Sequence, residues 1–329
     1  MEIRTANFND IAALADYQCA MFPERSRGFA MRYMQLWTSK SLDAISDSYL
    51  IEDDKKQICG QELFSSMTYW CAGEKKVGVW EFDLIVDDEL RKDNWGLDLL
   101  LTTIARHNHI FATGSNDTAL RIHLKLGKNL LGHIRKYVKP VNPLYIATAL
   151  WRGNITAVKF PKNVMTGAAR WVKVEATDFP VLDKPFNAGL FEVGRDIDFL
   201  RWRFTQLHEY VFYRIENGDD YFVVRTIVKK HITALVIVDF RCDLCHGGRF
   251  EQIVNAATQI AKNLRLPMLI TGSSLAVTDE VLEHNGFRSV GRPRPIIGND
   301  KRLKGHKDEV ESRDFCLVTL ADSDGEVCW

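Results

Sequence analysis

The feature that most restricts the fold is an order of elements that the chain runs through twice. Each half reads as helices, an antiparallel meander, a loop, a long helix, a strand and a short helix. The halves share no visible sequence identity, so the repeat lies in the pattern alone. Such an order predicts α+β units rather than a sheet wound from successive strand–helix–strand crossovers. At 329 residues the chain also exceeds what one hydrophobic core usually spans. Two domains are therefore expected, over 1–145 and 171–329, with 146–170 as the connecting segment.

Periodicity places the elements. In the first half it predicts a strand over 2–6, a helix capped by Asn9 or Asp10, and a second helical region over 28–50. Strands are expected over 48–52, 58–66 and 77–86, then a helix over 97–108. In the second half a strand over 171–175 precedes a helix over 196–204. Strands over 210–216, 221–228 and 234–239 lead into a helix over 249–263. A strand over 266–271, a short helix over 279–284 and a strand over 315–320 complete the pattern.

Charge narrows the partners. Lys+Arg and Asp+Glu both number 43, so the formal net charge is zero. A neutral chain has no overall field for gathering nucleic acid or anionic membrane, and neither is an expected partner. No stretch approaches the roughly 18 apolar residues of a membrane span. Glu2, Arg4 and Asp10 interrupt what would have to be the apolar part of a signal peptide. The seven cysteines, at 19, 59, 71, 242, 245, 316 and 328, are odd in number and scattered. They suit reduced thiols, and a cytoplasmic location is expected.

The chemistry concentrates between Val77 and Lys128. Alternation along the 77–86 strand puts Trp80, Phe82, Leu84 and Val86 on one face, with Glu81 and Asp83 on the other. Two carboxylates on one face raise at least one pKa, as a general base near neutrality requires; a solvated strand face would show the same pattern. The strand exits into Arg91-Lys92-Asp93-Asn94-Trp95-Gly96-Leu97. A basic, glycine-containing turn opening a helix is a physical anion site, because free backbone N–H groups and the helix dipole point at a phosphate.

The order of strand, Arg91…Gly96, helix, Phe111-Ala112-Thr113-Gly114, Asn116 and Leu126-Gly127 resembles the acyl-CoA-binding half of the GNAT acetyltransferases. That family carries R/Q-x-x-G-x-G/A in the loop, an Asn after the next strand, and a Tyr four residues before a Gly-Phe pair. Arg91, Gly96 and Asn116 match. Asn94 replaces the first glycine, Leu97-Asp98 the small residues after Gly96, His123 the Tyr and Lys128 the Phe. Asn tolerates left-handed backbone angles, so the loop keeps its shape with Asn94 or else has decayed. The resemblance implies two GNAT domains, each a mixed, mostly antiparallel twisted sheet flanked by helices, with acyl-CoA (acetyl or hydroxyacyl) bound by the first. It assigns Leu84, Ile85, Val86, Arg91, Lys92, Asn94, Trp95, Gly96, Leu97 and Asn116 to the cofactor. Glu81 or Asp83 would accept the amine proton, and His123 would protonate the CoA thiolate; a structural histidine is the alternative.

The corresponding part of the second half, Val236–Asp239 with Arg241…Gly247-Gly248-Arg249, lacks this spacing, and Leu282 stands at the acid position. Asp198-Phe199-Leu200-Arg201-Trp202-Arg203-Phe204 and the close 317–324 resemble tandem-GNAT proteins of bacterial surface-polysaccharide clusters. That resemblance implies an acceptor that is a nucleotide-linked amino-deoxysugar, with dTDP as carrier. Arg201 and Arg203 would bind its diphosphate and Trp202 would stack on it. An amino acid, peptide or peptidoglycan precursor is the alternative acceptor, and a non-catalytic binding protein the alternative class. Cys242-Asp-Leu-Cys245-His246 matches a haem attachment pattern, but that chemistry follows export and no export signal is expected here. A zinc site would need two more ligands at similar spacing, so no metal is expected.

Overall fold

A computed structural model describes residues 1–38, 47–152, 158–229, 232–245, 247–300 and 315–323. They fall into two compact units. One is drawn from Met1–Tyr69, Lys76–Leu130 and Ile296–His306, the other from Trp70–Lys75, Leu131–Pro295 and Lys307–Trp329. Each takes in part of the strand that follows the other's last helix. The α+β class holds: mixed, mostly antiparallel pairing flanked by helices.

In the first unit the sheet runs β1 (Glu2–Thr5), β2 (Tyr49–Glu52), β3 (Ile58–Cys71), β4 (Glu74–Val86), β5 (Ile110–Thr113). Ala72 and Gly73 join β3 to β4 with φ of 51° and 77°. That is the doubly left-handed turn that suits the right-handed twist of a tight hairpin. Asn7 caps a 3-10 turn over Phe8–Asp10, and Asp10, one of the two expected caps, stands at the N-cap of α1 (Ile11–Met21) without a side-chain cap bond. Of the expected 28–50 helical region, α2 covers Arg27–Thr38, and 39–46 lies outside the described residues. β4 passes through α3 (Trp95–Arg106) into parallel β5, and α4 (Asp117–Lys125) follows.

The face pattern expected for β4 is corrected. Asp83 has φ +50°, a left-handed angle inside a strand. Such a kink reverses the alternation beyond it. Val79 and Val86, seven positions apart, consequently share one core cluster with Leu99 of α3. Before the kink, Phe82 packs on Trp37 of α2 at 4.6 Å. Both faces of β4 are covered at its centre, so Glu81 is buried rather than half-exposed.

The second unit repeats the theme. After β6 (Asn129–Pro140) come α5 (Pro143–Arg152), β7 (Asn163–Thr166), β8 (Ala169–Val174), β9 (Phe191–Val193) and α6 (Ile197–Thr205). The meander β10 (Val211–Ile215), β11 (Tyr221–Lys229), β12 (Ile232–Arg241) leads through α7 (Gly248–Asn263) into parallel β13 (Met268–Ser273). Then follow α8 (Ala276–His284), β14 (Arg288–Gly298) and β15 (Cys316–Leu317), the last much shorter than the expected 315–320. Ile296–Gly298 of β14 pairs with β5 in the first unit, while β6 pairs antiparallel with β13 in the second. The helix α5 was not expected; Pro143 occupies its first position and the Asn142 side chain accepts from the Leu144 N–H at 2.9 Å.

Candidate active site

β4 and β5 pair only from Val79↔Ile110 to Glu81↔Ala112. Past that point β4 continues to Val86 without β5 beside it, and the kink at Asp83 falls in this open stretch. Leu84, Ile85 and Val86 therefore lie where the two strands have parted. Next comes the turn into α3. Asn94 has φ 62° and ψ 14°, so the left-handed conformation expected of it is present, and no side chain caps the helix start. Arg91, Lys92 and Asn94 are exposed, while Trp95, Gly96 and Leu97 are half-buried. Arg91 Nε donates to the Val86 carbonyl at 3.1 Å, and its guanidinium pairs with Asp88 at 2.6 Å. A Cβ added at Gly96 would meet Val86 Cγ2 at an ordinary 3.5 Å. Asn116 caps α4, its side chain accepting from Thr118 and Ala119 N–H at 3.0 and 2.9 Å.

The end of α4 explains how His123 reaches the site. Gly127 adopts φ +90°, the Lys128 N–H returns to the His123 carbonyl at 3.1 Å, and the Gly127 N–H to the Leu124 carbonyl at 3.1 Å. This paired closure of a helix C-terminus brings the residue after the glycine beside the residue five positions earlier. Hydrophobic side chains usually meet there. Here they are His123 and Lys128, and both converge on Glu81. His123 Nε2 lies 3.3 Å from Glu81 Oε1, and Lys128 Nζ hydrogen-bonds Glu81 Oε2. Glu62 of β3 completes the group, its Oε2 accepting from the Thr103 hydroxyl of α3 at 2.7 Å. Glu62, Glu81, His123 and Lys128 are all at most 5% exposed.

Burial raises the energy of every ion here, and neighbours decide which survive. Burial pushes Glu81 up, but the Lys128 ammonium and His123 outweigh it and hold the carboxyl down at about 2. Glu62 has the reverse balance: burial first, then the Glu81 carboxylate, push it up to about 8. Sequence reasoning missed Glu62 and Lys128 as site residues. The signal for Lys128 was its place after Gly127; Glu62 had none, since it arrives from another strand.

Asp83 and Glu81 do not meet. At the kink, Asp83 turns to α1, where Gln18 Nε2 donates to its Oδ2 at 2.9 Å, and Arg25, past the end of that helix, stands 3.6 Å away. In the second unit Arg201 is exposed, but Trp202 and Arg203 are buried. Arg203 donates to the Ala321 carbonyl at 2.9 Å and to the Tyr210 hydroxyl at 2.8 Å. A cavity of about 910 Å³ in that unit, lined in part by Lys159, Lys162, Lys173 and His208, includes none of the expected site residues. Cys242 is buried, Cys245 exposed, and His246 lies outside the described residues. Among the described residues, no group of three potential metal ligands occurs and no helix is long and apolar enough to cross a membrane.

No protein-family profile and no curated protein matches the sequence. Solved structures do. A GCN5-related N-acetyltransferase of Anabaena variabilis superposes with a TM-score of 0.61 at 13% identity, over 90% of this chain and 72% of that one. A probable N-acyltransferase of Enterococcus faecalis gives 0.61 at 12%, over 93% and 74%. The N-myristoyltransferase of Saccharomyces cerevisiae, with bound myristoyl-CoA, gives 0.58 at 10%, over 90% and 82%. The fold is that of the GCN5-related N-acetyltransferases. Within this fold the parted strands, the uncapped α3 and the His123 cluster all belong to the first unit.

Proposed function

We propose that the chain is an acyl-CoA-dependent N-acyltransferase whose chemistry resides in the first unit. The observation that carries this reading is the stretch where β4 outruns β5, bounded by a helix start suited to a phosphate and by a buried histidine held on a carboxylate. The GCN5-like fold and a neighbour that binds myristoyl-CoA support an acyl-CoA donor. The diphosphate would take the α3 N-terminus with Arg91 and Lys92, and the thioester would lie along Leu84–Val86.

In this reading the free amine attacks the thioester carbon. A C–N bond forms, and backbone N–H groups near Leu84–Val86 hold the oxyanion. The C–S bond then breaks, and His123 gives its proton to the thiolate. Glu81 is better placed to orient His123 through Nε2 than to take the amine proton; that proton goes to Asp83 or to water. The site is cytoplasmic in this reading.

The finer acceptor, a dTDP-linked amino-deoxysugar, rests on the sequence resemblance and on exposed Arg201. Burial of Trp202 and Arg203 favours the second reading, an amino acid or peptide amine, because it removes the stacking and diphosphate contacts from reach. The test is thiol release from acetyl-, hydroxybutyryl- and myristoyl-CoA against a panel of both acceptor types. His123→Ala should lower kcat at least 100-fold with little change in acyl-CoA Kd, in line with ~10²–10⁴ for a general acid. Undiminished kcat in that variant would remove the histidine from the reaction.

A further inference from the structure

The chain contains an internal control for the buried cluster. Glu81 is the last β4 residue paired with β5, opposite Ala112, and His123 follows Ala112 by eleven positions. In the second unit the parallel ladder likewise ends at Ile237↔Thr271, and Leu282 follows Thr271 by eleven. The helix closure is the same: Phe287 N–H returns to the Leu282 carbonyl at 3.0 Å, across Gly286 at φ +81°. Glu81, His123 and Lys128 thus correspond to Ile237, Leu282 and Phe287, which all belong to one apolar core cluster. The fold needs only hydrophobic side chains at these places. Burying Glu81, His123 and Lys128 there costs desolvation energy that an apolar core avoids, so structure alone does not account for them.

Two atoms in the cluster point to proton handling. His123 Nδ1 and Glu62 Oε1 are buried without a hydrogen-bond partner among the described residues. With Nε2 beside Glu81, the nitrogen left to gain or lose a proton is Nδ1. The groups facing His123 are Glu81 from β4 and Lys128 from the turn after α4, and Glu62 from β3, bonded to Thr103 of α3, is near enough to feel the Glu81 charge. Its own helix contributes only the exposed Asp117, Arg121 and Lys125.

We propose that Lys128 is a positioning residue that sets the protonation of His123 through Glu81, with Glu62 a neutral neighbour. This rests on the acyl-transfer reading for its purpose but not for its test. An isolated buried carboxylate beside an imidazole would lock the proton onto the ring. The Lys128 ammonium cancels most of that field, so the ring keeps its orientation from Glu81 yet can surrender the proton to a thiolate. Glu62, kept neutral by its burial, adds no second negative charge at neutral pH.

The experiment is an NMR titration of ¹⁵N-histidine-labelled full-length protein, following His123 in wild type, Lys128→Met, Lys128→Arg and Glu62→Gln. In Lys128→Met the ring should hold its proton to a pH higher by about one unit or more, the scale expected when a close opposite charge is unmasked. Lys128→Arg should restore the wild-type midpoint, and Glu62→Gln should leave it in place below about pH 7. Wild-type ¹⁵N shifts should show Nε2 as the protonated nitrogen of the neutral ring. An unmoved midpoint in a folded Lys128→Met, or a proton on Nδ1 of the neutral wild-type ring, overturns the proposal. The second readout stands even where Lys128→Met does not fold. Neither depends on turnover, so a failed acyl-transfer assay and a failed coupling remain distinguishable.

Discussion

Removing Lys128 alone should harm the protein far more than removing the whole charged cluster. Lys128→Ala leaves the Glu81 carboxylate at 5% exposure without its ammonium partner. Breaking a buried ion pair on one side costs about 3–5 kcal/mol. Domains have roughly 5–15 kcal/mol in total. The triple variant Glu81→Ile, His123→Leu, Lys128→Phe copies Ile237, Leu282 and Phe287, a set the second unit already packs at the same helix closure. Exchanging a buried charged group for apolar residues of similar volume is neutral or stabilising by about 1–4 kcal/mol. Urea denaturation at pH 7, followed by tryptophan fluorescence, reads both. With a slope of about 2 kcal/mol/M, the Lys128→Ala midpoint for the first unit should fall by roughly 1.5–2.5 M. The triple variant should match or exceed wild type while losing acyl transfer. A triple variant as unstable as the single one would refute the reasoning, because the cluster would then be needed for packing.

Three further outcomes follow from particular residues. Asn94→Gly should keep stability and acyl-CoA binding, whereas Asn94→Ala should lose about 1 kcal/mol and weaken binding, since alanine resists φ 62°; thermal melting and calorimetry check both. Glu62, raised to about 8 in the fold from 4.5, binds its proton more tightly folded than unfolded, so its contribution is full below pH 4.5 and lost as pH rises through 8. Glu62→Gln should therefore flatten the decline in urea midpoint between pH 5 and 8.5, and a parallel decline in the variant would assign it elsewhere. Arg203→Ala should destabilise the second unit by roughly 3 kcal/mol through two lost charge-assisted hydrogen bonds, whereas exposed Arg201→Ala should stay within about 0.5 kcal/mol. Equal melting temperatures for the two arginine variants would contradict the buried role of Arg203.

What could be read from the sequence was local. The strand–loop–helix order, the left-handed Asn94 and the position of His123 on a helix all depend on neighbours in the chain, and each is present. What was missed depends on distant partners or on a single angle. Nothing in 77–86 announces that Asp83 turns left-handed, yet that kink separates Glu81 from Asp83 and sends one toward α4 and the other toward α1. Glu62 joins the site across 19 residues of β3–β4 hairpin, which no spacing rule reports. β14 was overlooked because Pro293 and Pro295 remove ladder donors and read as loop. Nor does any local signal say which strand a strand will pair with, as β6 on β13 and β14 on β5 show. On α6, Trp202 and Arg203 have the chemistry of a ligand site, but helical periodicity turns them inward with Phe199 and Phe204.

The central claim is that acyl-CoA binds the first unit where β4 outruns β5. Calorimetric titration of the full chain with acetyl-CoA and myristoyl-CoA, beside a folded Gly96→Trp variant, tests it most directly. The account predicts one site per chain at micromolar affinity in wild type, abolished by the indole at the start of α3. Absent heat with an unshifted melting temperature, or binding that survives Gly96→Trp unchanged, would contradict it.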